Sequence, residues 1–179
     1  MFKTPGRKQI DSALNSARGR KHSFRRFDAM HNILILFHYE DWNEIKPIIE
    51  DLVENGKHPI LWTVRPKKKG KENESLADIP ATSNVRIIEA KDVSWYNGLS
   101  KVVNNEFKLL QYDTLMDLTT FSDKKLFYLL ASNTAQFCIG IREANHKIYD
   151  FIILWKESES LSGTYNQIKF YLNNIHKDK

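Results

Sequence analysis

The chain of 179 residues has one cysteine, seven glycines, five prolines and no long hydrophobic run. Each scarcity excludes something. Cys138 alone cannot form an internal disulfide, which suits a reducing compartment. Apolar stretches such as Ile33–Phe37 and Phe151–Trp155 hold five residues each, whereas a membrane span needs about 20. The N-terminus is charged and has no apolar segment of the kind a secretion signal carries. These absences together predict a cytoplasmic protein with no transmembrane segment.

The glycines are also too dispersed for phosphate-binding loops. Their closest pair, Gly6 and Gly19, lies 13 residues apart. Dinucleotide fingerprints and P-loops need clustered glycines so that backbone can approach phosphate, and a nucleophile elbow needs two glycines around its serine. None of these is present, so no cofactor is predicted. The six histidines form no H-x-H or H-E-x-x-H pair, and no metal site is predicted. Cys138, between Phe137 and Ile139, reads as a buried structural thiol, since a nucleophile needs an electropositive, partly exposed setting. No catalytic residue is assigned.

What is present is a charge asymmetry and a regular alternation. Residues 1–29 carry eight Lys and Arg against Asp11 and Asp28, a net +6; the total of +5 leaves −1 for the other 150 residues. This predicts a basic helical arm over 1–29 and a single domain over 30–179. Ile10, Ala13, Leu14 and Ala17 follow helical spacing and leave Arg7, Arg18, Lys21 and Arg25 off the apolar stripe. Those four are the candidate contacts to an anionic partner, nucleic acid or membrane surface. The plain alternative is a solvated or self-docked segment.

From residue 30 onward, apolar runs alternate with helical periodicity. Strands are expected over Ile33–Phe37, Ile60–Val64, Val85–Glu89, Tyr112–Leu118, Gln136–Gly140 and Tyr149–Trp155. Ile45, Ile48, Ile49, Leu52 and Val53 mark a helix closed by Asn55-Gly56, with Pro47 expected in its first turns. Leu99, Val102, Val103, Phe107 and Leu110 mark a second, capped by Ser100. Leu126, Phe127, Leu129 and Leu130 mark a third with Ser122 as its cap, and Leu161, Tyr165, Ile168, Leu172 and Ile175 a last one. Residues 66–84 read as a long exposed loop.

Strands alternating with helices predict an α/β fold: a three-layer, Rossmann-like domain with a mostly parallel sheet of five or six strands. The expected order is 3-2-1-4-5. Only the link from the fifth strand to the sixth lacks a helix, leaving an antiparallel hairpin or an edge position open. In such sheets ligands bind beyond the carboxyl ends of the strands at the switch point, here between the first and fourth strands. The candidate crevice is therefore His38, Tyr39, Asp117, Thr119 and Ser122. Hydroxyls and free N–H groups at a helix start can hold an anion, although Glu40, Asp41 and Asp117 oppose one. Asp41, Asn43 and Ser122 are equally readable as helix caps.

The runs ArgPheAspAlaMetHis-AsnIleLeuIleLeuPhe, SerTrpTyrAsnGly, TyrAspThrLeuMetAspLeu and the stretch to PheCysIleGly resemble an uncharacterised bacterial family, a domain of unknown function. The resemblance covers most of the chain and implies a basic N-terminal helix followed by an α/β domain. Residues 112–140 are also similar to a strand-helix-strand unit in the N-terminal domain of heptosyltransferase-like glycosyltransferases. Those enzymes bind the nucleotide-sugar with a second domain, absent here, so this likeness implies a fold and no activity. Three functions remain to weigh: a non-enzymatic interaction module with a protein partner, a small-molecule binder or enzyme using the crevice, and a nucleic-acid-associated protein using the arm.

Overall fold

The computed structural model describes residues 10–15, 19–66, 78–94, 98–144 and 147–175. Six strands form one sheet: β1 (Asn32–His38), β2 (His58–Val64), β3 (Val85–Ile88), β4 (Thr114–Asp117), β5 (Phe137–Gly140) and β6 (Phe151–Ile152). Their order is β3-β2-β1-β4-β5-β6, and all five pairings are parallel. The expected order thus holds, with β6 added beside β5. Between the two alternatives for the sixth strand, the edge position is found, and the antiparallel hairpin is not. β6 is also far shorter than the expected Tyr149–Trp155, because only Phe151 and Ile152 pair with β5.

Residues 10–15 are helical, and among the described residues after β1 four helices flank the sheet: α1 (Trp42–Glu54), α2 (Lys101–Leu109), α3 (Lys124–Ala131) and α4 (Leu161–Asn174). β1 is central, and its alternation divides the core into two layers. Ile33, Ile35 and Phe37 join Ile45, Ile48 and Leu52 of α1 and Tyr165, Ile168 and Leu172 of α4. Leu34 and Leu36 join Val103 and Phe107 of α2 and Leu126, Leu129 and Leu130 of α3. Being buried on both faces is why β1 reads as an unbroken apolar run.

The helix ends show where local rules held. Gly56 takes φ of 71° after α1, a conformation that suits glycine. Ser100 accepts from the Val103 N–H and caps α2. Ser122 does not cap α3; Asp123 does, accepting from the N–H groups of Lys125 and Leu126. Asp41 makes no capping bond for α1, because a 3-10 turn over Tyr39–Asp41 runs directly into that helix. Pro47 falls sixth in α1, within its first two turns, and removes one N–H from the helical ladder. In the 66–84 loop, residues 67–77 lie outside the described ones, and Ile79 is in the core rather than exposed.

The segment before β1 is packed on the domain: Ala13 is buried, Leu14 lies against the layer of α2 and α3, and from Arg20 onward polar contacts add to this. The Arg20 side chain is 4% exposed and pairs with Asp150 at 2.9 Å. It also donates to the carbonyls of Ala135 and Ile148, each at 2.8 Å. The Ser23 N–H bonds to the Gln136 carbonyl, and Phe24 meets Phe137 edge to face. Phe27 is buried, and Lys57, itself buried, donates to the Asp28 carbonyl across that segment.

Candidate functional site

The parallel register sets Leu36 of β1 beside Asp117 of β4, and Asp117 beside Gly140 of β5. The carboxyl ends of these strands thus converge where the topology predicts a crevice. Of its five expected residues, His38, Tyr39, Asp117 and Thr119 are brought there and are buried, while Ser122 is exposed.

Asp117 is 1% exposed, and a carboxylate so placed needs charged or hydrogen-bonding partners. It has four. One oxygen accepts from the Thr119 N–H at 3.1 Å and from the Thr119 hydroxyl at 2.6 Å. The other accepts from the Tyr149 hydroxyl at 2.5 Å and from Arg142 at 3.3 Å. Arg142 closes the ring by donating through Nε to the Thr119 hydroxyl at 3.0 Å. Burial and the adjacent Asp117 charge push the Tyr149 phenol far above its ordinary value, so the proton stays on Tyr149 and the bond runs from phenol to carboxylate.

Gly140 makes this arrangement possible. A Cβ there would lie 2.6 Å from the Tyr149 ring; only a residue without a side chain lets the ring cross β5 so closely. Arg142 and Tyr149 were not anticipated from sequence. Both lie in the helix-less link from β5 to β6, where no periodicity marks them, although a glycine closing a buried strand signals a close approach.

His38 faces the neighbouring loop. The Phe121 ring stacks on its imidazole, with centroids 3.6 Å apart and planes 7° apart. Its Nε2 lies 3.1 Å from the Phe121 carbonyl and 3.4 Å from the Phe121 N–H, so either tautomer finds a partner. Phe121 itself is 59% exposed. On the β2 side, the Tyr39 ring carries the Arg65 guanidinium 4.8 Å from its centroid. The Tyr39 hydroxyl and Asp41 Oδ2 are both buried and have no hydrogen-bond partner among the described residues. Burial pushes the Asp41 carboxyl above its ordinary value; His38 opposes this, and Glu44 and Glu40 add to it.

The candidate anion-contacting residues are Arg7, Arg18, Lys21 and Arg25. Arg7 and Arg18 lie outside the described residues. Lys21 is exposed. Arg25 is half-buried, donating to the Ala29 carbonyl and to the Gln136 side chain. Asp113, just before β4, accepts from the backbone N–H groups of His31 and Asn32. Cys138 is fully buried, and burial pushes its thiol well above the ordinary value. Among the described residues, no three His, Cys, Asp or Glu side chains come together as a metal site would require, and no helix is long and apolar enough to cross a membrane.

No curated protein matches the chain, and no solved structure does. A family model covers residues 4–175, which spans both the packed N-terminal segment and the whole sheet, and the chain accordingly belongs to DUF6913, a family of unknown function.

Proposed function

We propose that this chain is a non-enzymatic interaction module that docks a protein partner over the carboxyl end of its sheet. The observation that carries the reading is the closed polar ring at the switch point. A ligand site keeps a few convergent polar groups available; here Asp117, Thr119, Arg142 and Tyr149 satisfy one another. An exposed aromatic at this end is Phe121, held flat on His38 and more than half exposed. A rigid aromatic in that position is the type of side chain on which docking energy concentrates. Residues 1–29 add a weaker, electrostatic contact to an anionic surface, with Lys21 the exposed cation among the described candidates. A cytoplasmic location fits the single buried thiol.

A second reading, small-molecule binding, draws on one observation: the unpartnered Tyr39 hydroxyl and Asp41 Oδ2 at the same end of β1. Thermal melts with nucleotides and sugar phosphates separate the two. A ligand at 100 times its Kd adds about 2.7 kcal/mol, or roughly 5–10 °C in Tm for a chain of this size. No such rise is expected. A rise of that size, lost in Asp41→Asn, would transfer the function to the second reading. The docking itself is tested with a photoreactive amino acid at position 121 and, as a control, at exposed Val102 on α2. Cross-linking in cells from 121 and not from 102 is the expected result; equal labelling from both would remove the proposed surface.

A further inference from the structure

The sheet ends in two edges, and an edge is a row of unpaired main-chain groups that natural proteins cover, charge or interrupt. At β3, Leu61 and Arg65 of the β2 side take the carbonyls of Asn84 and Ile88. Alternation therefore turns the Ile87 carbonyl outward. It is covered: Arg86 donates to it at 2.9 Å, with its guanidinium anchored by Asp92 and Glu106.

The β6 edge is built differently. The N–H groups of Ile153 and Trp155 turn inward to the carbonyls of Gly140 and Ile141, at 3.2 and 2.8 Å. The main-chain groups of Ile152 and Leu154 therefore face outward, and among the described residues no side chain bonds to them. Their side chains are 44% and 51% exposed, while Phe151, Ile153 and Trp155 pack into the core layer beneath α4. From Phe151 to Trp155 the edge holds no charge and no proline. Beside it runs a groove of about 320 Å³ flanked by Tyr171 of α4.

We propose that this edge pairs antiparallel with the same edge of a second copy of the chain, about a twofold axis at Ile153, joining two six-stranded sheets into one. The occupant follows from self-complementarity. The axis at Ile153 sets Ile152 opposite Leu154 of the second copy, and Leu154 opposite its Ile152. Outward main-chain groups then meet outward main-chain groups, and exposed aliphatic side chains meet their like on the same face. This is the isologous contact that closes a dimer and leaves no further edge. The ends of the strand agree in charge. Before it stand Asp150, which the buried Arg20 neutralises at 2.9 Å, and Lys147, while Glu157 and Glu159 outnumber Lys156 after it, so the antiparallel arrangement brings the basic end of one copy to the acidic end of the other. A parallel pairing would bring like ends together. The α4 helices lie on the same face of the joined sheet, where the exposed Phe170 and Tyr171 would flank the seam. The inference is independent of the crevice and of Phe121.

The experiment uses sedimentation of the full chain at about 50 μM, a concentration that populates a micromolar dimer. The wild type is expected to sediment as a dimer. Ile152→Glu alone and Leu154→Lys alone should each weaken it at least about tenfold, since each sets a charge against an aliphatic partner twice per dimer. An equimolar mixture of the two variants should recover the dimer, because Glu at 152 of one copy then faces Lys at 154 of the other. Recovery on mixing also shows that both variants are folded. A monomeric wild type, a dimer indifferent to both substitutions, or two monomeric variants that stay monomeric when mixed would each overturn the proposal.

Discussion

At the β3 edge Arg86 folds its guanidinium onto the outward carbonyl of Ile87; at the β6 edge Ile152 and Leu154 meet solvent with no comparable cover among the described residues. The two edges also differ in what holds them to the sheet. β3 pairs over four residues with β2, and its charged anchor is satisfied by Asp92 and Glu106. β6 pairs over two residues, and the chain entering it is tied inward by Asp150, which accepts from the Cys138 N–H and pairs with Arg20. One edge is closed by its own side chains, and the other is anchored from behind while its outer face stays open. An open face of that kind costs nothing to a protein that pairs it and invites aggregation in one that does not.

The largest expected effect tests whether the β6 side opens. Cys138 lies in β5, directly behind that edge. Thiol labelling of the native chain at neutral pH should run at least about 1,000-fold slower than in denaturant, the protection given by an opening that costs about 4 kcal/mol. Fast labelling would mean that β6 detaches readily and that the contrast between the edges is one of stability as well as of cover.

Gly140→Ala comes next. The added methyl would lie 2.6 Å from the Tyr149 ring, so the ring must shift and its bond to buried Asp117 is lost. Denaturant unfolding should show a loss of about 2–4 kcal/mol. A loss below 1 kcal/mol, on the same scale, would show that the ring relaxes without disturbing the carboxylate.

Arg86→Ala addresses the other edge. It uncovers the Ile87 carbonyl and leaves Asp92 buried without its partner, at a cost of about 1–3 kcal/mol. Its signature is pH dependence. Burial raises the Asp92 carboxyl, but the Arg86 hydrogen bonds, the Glu89 N–H and the Arg86 charge outweigh this, so the net shift is downward. A depressed folded-state value stabilises the protein above the unfolded carboxylate value and is lost as pH falls through the folded one. Wild-type stability should therefore decline below about pH 4, and the decline should be shallower in Arg86→Ala. Identical pH slopes would disconnect Asp92 from the edge.

The smallest effect is at the open edge itself. Ile152→Ser, measured at a dilution where the chain is monomeric, should change unfolding free energy by under about 0.5 kcal/mol, because half of that side chain is already in water. A larger loss would place Ile152 in the core of a single chain and not at an interface.

Strand order and layering were legible because burial on two faces leaves a continuous apolar run, and helical periodicity marks each crossover. Ile33–Phe37 and the Ile45 to Leu52 spacing are local signals of this kind. The switch point could be placed from topology alone, and His38, Tyr39, Asp117 and Thr119 do meet there. Their chemistry could not. Arg142 and Tyr149 reach Asp117 from a link with no pattern, and Ser122 and Asp123, adjacent in sequence and equally able to cap, are distinguished only by the direction of the backbone entering α3.

By itself, then, the sequence determined the elements, their parallel order and the buried state of Cys138, since each depends on which residues leave water. Tertiary structure decided the rest. It set β6 parallel at the edge, drew Arg20 out of a basic segment to pair with Asp150, and engaged Asp117 with three side chains. Polar groups choose partners by distance and direction after the chain has folded, and hydrophobic patterning carries no record of that choice.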